Sequence, residues 1–148
     1  MTSPAFFKSA VGNSIQTEGA PISKGALWAG RILSAIAVLF CLMDGGMKLF
    51  KPPFVVAATV QLGYPESSIV GIGVLLLACT ALYVIPRTAI LGAILLTGYF
   101  GGAVASNVRA GTGSFNTLFP VLFAVLVWGG LWLRDRRVAA LLASTRVV

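Results

Sequence analysis

The chain has 148 residues, with eleven Lys and Arg against four Asp and Glu, no histidine and a net charge of +7; 57% of it is hydrophobic and 10% charged. Soluble domains carry roughly 25% charged residues, so this composition excludes an ordinary water-soluble fold, and the long apolar runs leave no room for a second, soluble domain. Without histidine the usual metal ligand, proton shuttle and triad base are all missing.

Residues 1–24 mix Ser, Thr, Gly, Pro and Asn with scattered apolar positions and are predicted to be a mobile cytoplasmic tail. They do not read as a signal peptide, because the first apolar run starts only at Ala26 and is too long for a cleavable segment. That run, 26–50, is followed by others at 69–85, 88–108 and 115–133. Each approaches the ~20 residues that a helix needs to cross a ~30 Å hydrocarbon layer. The expected fold is all-α: an integral membrane four-helix bundle over residues 25–135, followed by a basic cytoplasmic tail over 136–148. No internal repeat or pair of inverted halves is visible.

Within the first run, twelve residues separate Arg31 from Asp44, ~18 Å of helix, so some charge must lie at membrane depth. Arg31 is expected to snorkel to the headgroups, and Asp44 and Lys48 to sit in the outer leaflet on the protected side of the bundle. Pro52-Pro53 then opens FVVAATVQLGYP, read as a short interfacial helix between helices 1 and 2, with Gly63 as its cap and Tyr64 as an interfacial anchor. Ser67 or Ser68 can cap the second span.

Ile85-Pro86-Arg87 makes a tight hairpin between the second and third spans, since proline disfavours helix at the residue before it. The third span leaves through Asn107-Val108-Arg109 into a glycine-rich loop, and Pro120 falls early enough in the fourth to be tolerated. Trp28, at the start of the first span, and Trp128 and Trp132, at the end of the fourth, are candidate interface anchors on one boundary. Eight basic residues flank that boundary, and Lys48, Lys51 and Arg109 the other. The positive-inside bias therefore puts both termini in the cytoplasm. The cluster Arg134-Asp135-Arg136-Arg137 reads as a stop-transfer anchor near anionic lipid, not a nucleic-acid patch.

The candidate site comes from two stripes of small and polar residues. Gly30, Ser34, Ala37, Cys41, Asp44 and Lys48 share one face of the first helix; Gly98, Gly102 and Ser106, with Arg109 nearby, share one face of the third. The stripes predict that helices one and three pack together through Gly30, Ser34, Gly98, Gly102 and Ser106. Asp44 would then be compensated by Lys48 at i+4 and by Arg109 across the bundle.

Such a cluster serves either as a structural lock or as the polar end of a pocket for an anionic or quinone-like headgroup or a partner protein. Tyr99 and Asn107, with Gln61 and Tyr64, could add hydrogen-bonding groups to it. Cys41 and Cys79 read as small packing residues, with a redox pair as the alternative if they share a depth. Gly71 and Gly73 fit helix packing rather than a nucleotide fingerprint. No catalytic or metal-binding set is assigned.

Several segments carry a family resemblance: Asp44-Gly45-Gly46-Met47-Lys48-Leu49, Leu62-Gly63-Tyr64-Pro65, Ile85-Pro86-Arg87-Thr88-Ala89, Thr97 through Ala105 to Arg109, and Trp128-Gly129-Gly130-Leu131-Trp132-Leu133-Arg134-Asp135. Together, over about residues 27 to 142, they resemble the DoxX-like family of small bacterial membrane proteins. The resemblance implies a four-span bundle in the bacterial cytoplasmic (inner) membrane. It also points to an accessory or docking subunit of quinone-linked redox enzymes; the residues themselves show no nucleophile–base pair, metal cluster or phosphate loop with which the isolated chain would catalyse. The alternatives are a small-molecule or lipid binding or transport protein with a polar pocket near the outer face, and a structural subunit of a larger membrane complex. Quinone or lipid are the candidate ligands, although no cofactor is evident. The expected partners are membrane lipid, a redox enzyme or larger complex, or a second copy of the chain, and not nucleic acid. Relatives commonly carry histidine two residues before the arginine of the third span; Asn107 stands there in this chain, which keeps hydrogen bonding but not proton transfer.

Overall fold

The computed structural model describes residues 23–135 together with 137 and 138, all helix, turn or connecting loop. Of the tails expected at 1–24 and 136–148, residues 1–22, 136 and 139–148 lie outside the described residues. Among the described residues five helices follow one another: α1 Lys24–Phe50, α2 Pro53–Gln61, α3 Ser68–Val84, α4 Ala89–Ala110 and α5 Ser114–Arg134.

Local chemistry explains the breaks. Ser23 caps α1 by accepting the Ala26 amide at 3.2 Å. Lys51, at φ 48°, ends α1 in the left-handed region, and Pro53 at the first turn of α2 supplies a preset φ where no amide is needed. Ile85 is extended ahead of Pro86, which stops α3, and Gly111, at φ 64°, terminates α4. Ser67 occupies the N-cap position of α3, but its side chain makes no capping bond.

Helices α1, α4 and α5 are long and apolar enough to cross a membrane, and α3 is a shorter apolar helix of 17 residues. Their outward faces carry Trp28, Ile32, Leu39, Leu122, Val125 and Trp132, all exposed. A continuous apolar exterior of this extent suits lipid and not water. The protein is a membrane protein.

Helix α1 packs on α3 and α5, and α4 packs on the same two, so α1 and α4 are not direct neighbours. This corrects the expectation that the first and third spans pair. The small-residue stripe of α1 serves two other partners. A Cβ at Gly30 would stand 2.9 Å from the Gly130 carbonyl of α5, and one at Gly130 would stand 2.5 Å from the Ser34 hydroxyl. Further along, Gly45 meets Leu77 and the Gly73 carbonyl of α3.

Tyr83 ties one end together. Fully buried, its hydroxyl donates to the Val127 carbonyl of α5 at 2.9 Å, so the 2.9 Å contact with Ser34 of α1 must use the serine proton. The Arg134 guanidinium lies 4.9 Å from the Tyr83 ring centroid and donates to its carbonyl at 3.2 Å. Gly92 of α4 lies directly against the backbone of Leu82 and Tyr83. The buried thiols of Cys41 and Cys79 are both free.

Candidate functional site

Away from Tyr83, α4 carries glycines that touch no neighbouring helix. A Cβ at Gly98, Gly101 or Gly102 would meet nothing within 4 Å. Gly98 and Gly102 therefore do not pack helices, as their spacing had predicted. They form part of the wall of a cavity of about 860 Å³ to which all five helices contribute. Without side chains there, α4 leaves the space that a leucine or phenylalanine would fill.

The wall is mainly apolar and aromatic. Phe40 of α1 stacks on Phe123 of α5 at 3.8 Å between centroids and meets Phe119 edge-on at 5.3 Å. Phe40, Phe100 and Phe119 face the cavity, with Ile72, Leu75 and Cys79 from α3 and Leu95 from α4. Periodicity gave no sign of these residues as site residues, because an apolar side chain reads the same whether it faces lipid, a neighbouring helix or a void.

The polar groups gather toward the α2 end. Lys48 donates to both carboxylate oxygens of Asp44 at 2.6 Å, the i,i+4 pair expected from sequence, with the lysine side chain 14% and the aspartate 27% exposed. Among the described residues they are the only charged groups lining the cavity, so its walls carry no net charge. Tyr99 lines the same cavity, and its hydroxyl has no hydrogen-bond partner among the described residues. Asn107 is also on the wall, with its amide partly engaged: Nδ2 donates one proton to the Ala103 carbonyl at 2.9 Å and Oδ1 accepts from Thr112 at 2.6 Å.

Arg109 is the main departure. Instead of reaching Asp44, its guanidinium donates to the Leu62 carbonyl at 2.9 Å, at the end of α2. Arg109 follows the last buried turn of α4 and is itself exposed, so it satisfies a free helix-end carbonyl near the surface and Asp44 is left with Lys48 alone. Gly63, at φ +86°, turns the chain beside that guanidinium, where a Cβ would stand 3.1 Å away. Tyr64 points inward rather than acting as a free surface anchor. Its hydroxyl lies 2.7 Å from Ser106, which passes its own proton to the Gly102 carbonyl, so Tyr64 is the donor. Two bonds thus fasten the α2 segment to α4, and Phe54, Val55 and Thr59 of α2 close that side of the cavity.

The predicted interface tryptophans divide as well. Trp28 and Trp132 are exposed, whereas the Trp128 indole donates to Thr97 of α4 at 2.8 Å and joins α5 to α4.

The model of the DoxX-like family matches residues 32–130. The chain belongs to the DoxX-like family. The matched stretch of this DoxX-like chain contains every residue that lines the cavity, and leaves out Trp28 and Gly30 at one terminus and Trp132 and Arg134 at the other. No curated protein and no solved structure matches the chain.

Proposed function

We propose that this DoxX-like protein crosses the inner membrane four times, as a helical bundle with both termini cytoplasmic, and binds one small amphipathic molecule of quinone or lipid class in the cavity beside Asp44, Lys48 and Tyr99. The cavity carries the reading: about 860 Å³, mostly apolar, with its few polar groups clustered at one end. That is the form of a site for a molecule with a greasy body and a hydrogen-bonding head, and the volume lies within the ~300–1,000 Å³ usual for such sites. The short α3, at ~26 Å of helix, comes within a few ångströms of the hydrocarbon thickness, a mismatch that local thinning of the bilayer absorbs.

Holding a quinone-class molecule there would suit an accessory or docking role beside a membrane redox enzyme, because the head would lie near the outer surface under α2. The Asp44–Lys48 pair supports both a structural and a binding part for the cluster: it fixes two turns of α1 and still presents an ammonium to the cavity.

Native mass spectrometry of the protein released from native-membrane nanodiscs tests the proposal. The expected result is a stoichiometric amphipathic adduct, displaced by an added short-chain quinone or monoacylglycerol. A folded protein that arrives bare and takes up neither compound overturns it.

A further inference from the structure

We infer that the occupant is a single-chain lipid with an uncharged, hydrogen-bonding head, and that it enters from the bilayer through the cleft between α3 and α4. The inference rests on the proposed binding site and specifies its ligand and route. Three observations carry it.

The first is charge. Asp44 and Lys48 neutralise each other at 2.6 Å, and Arg109, the nearest cation in the sequence-predicted cluster, is committed to Leu62 and lies off the cavity wall. A charged head would lose its water without finding a counter-charge. An uncharged carbonyl or hydroxyl head loses less, and the donors available to it include the Tyr99 hydroxyl and the remaining ammonium proton of Lys48.

The second is the mouth. Leu75 of α3 is 56% exposed and Leu95 of α4 is 41% exposed; both line the cavity, and both belong to apolar helices that face lipid. On α4, Gly98 and Gly102 line the cavity as well, and a Cβ at either would meet nothing within 4 Å. The α3 and α4 side of the cavity therefore includes lipid-exposed side chains and positions without side chains. Near the outer surface, by contrast, α2 covers the cavity and is fastened by the Tyr64–Ser106 and Arg109–Leu62 bonds.

The third is size. A volume that suits one drug-sized molecule takes a head and one chain more readily than the two chains of a phospholipid. The head would lie at Tyr99 and Lys48, the chain would run past Phe40 and Cys79, and its end would leave between Leu75 and Leu95 into the membrane.

Three photoactivatable probes with the same hexadecyl diazirine tail and different heads, a glycerol ester, a carboxylate and a trimethylammonium, test this on the full chain in nanodiscs. The glycerol ester is expected to label about tenfold more than either charged probe, the ratio of a modest binding preference, with its adducts on the α3 and α4 peptides that contain Leu75 and Leu95. Gly98→Phe should cut that labelling by a similar factor and Gly101→Phe, off the cavity wall, should not, with thermal unfolding of both variants recorded to separate blockage from misfolding. Equal or stronger labelling by a charged probe, or cavity labelling that survives in folded Gly98→Phe, overturns the inference while leaving the proposed binding function standing. If no probe labels the cavity and native mass spectrometry also shows no adduct, both fail.

Discussion

Glycine has opposite uses at two levels of α4. At Gly92 the helix lies against the backbone of Leu82 and Tyr83, where any side chain would collide with main-chain atoms; six residues on, at Gly98, a side chain would meet nothing. The same contrast separates the polar groups. Tyr83 is fully buried with both hydrogen-bonding functions of its hydroxyl used, whereas Tyr99, on the cavity wall, has none among the described residues. One end of the helix assembly is closed by backbone contact and satisfied hydrogen bonds, and the other is held apart around a space. A small-residue stripe therefore marks where a helix has no side chain, and only the position of its neighbours decides whether that means packing or vacancy.

The largest effect is expected at Gly92. Gly92→Leu should remove most folded protein, since the colliding atoms are backbone and cannot rotate away; normal yield and melting temperature would show that α3 and α4 are not in contact there. Next is Lys48→Met, which leaves Asp44 without a counter-charge and should cost about 3 kcal/mol in reversible unfolding. Asp44→Asn on that background should recover most of the loss, and an additive double variant would show that the two side chains do not interact.

Tyr83→Phe comes third, at about 1–2 kcal/mol, because it strands the Val127 carbonyl and the Ser34 hydroxyl together. Tyr99→Phe should change stability far less while weakening binding of the amphipathic ligand. Equal destabilisation by the two tyrosine variants would erase the distinction between the ends. The smallest effect is expected for Gly98→Ala, which should be neutral or stabilising by up to about 1 kcal/mol through helix propensity alone. A destabilised Gly98→Ala would mean that another helix does approach there.

Much of the helical architecture was legible in the sequence because lipid imposes it. Apolar runs of bilayer length, broken by Pro52-Pro53, Pro86 and Gly111, delimit helices whose ends fall within two residues of the sequence reading. The Asp44–Lys48 pair was legible too, because an i,i+4 spacing fixes its own geometry. What failed depended on rotation of one helix about another. The spacing of the α1 and α4 stripes suggests that they face each other, whereas Gly30 and Ser34 face α5, Gly45 faces α3, and Gly98 and Gly102 face the cavity. Arg109 was assigned to Asp44 on charge alone, and nothing in its spacing could show that a closer carbonyl at Leu62 would take it. The aromatic wall formed by Phe40, Phe100 and Phe119 had no sequence signal, since no residue type distinguishes a cavity lining from a core.

The most direct test of the account is an experimental density map of the protein in lipid nanodiscs at a resolution that shows side chains. The expected map has α3 and α4 touching at Gly92 and a cavity bordered by Gly98, with elongated density running from Tyr99 and Lys48 towards Leu75 and Leu95. Helices closed along Gly98 and Gly102, with no space between Phe40 and Tyr99, would contradict it.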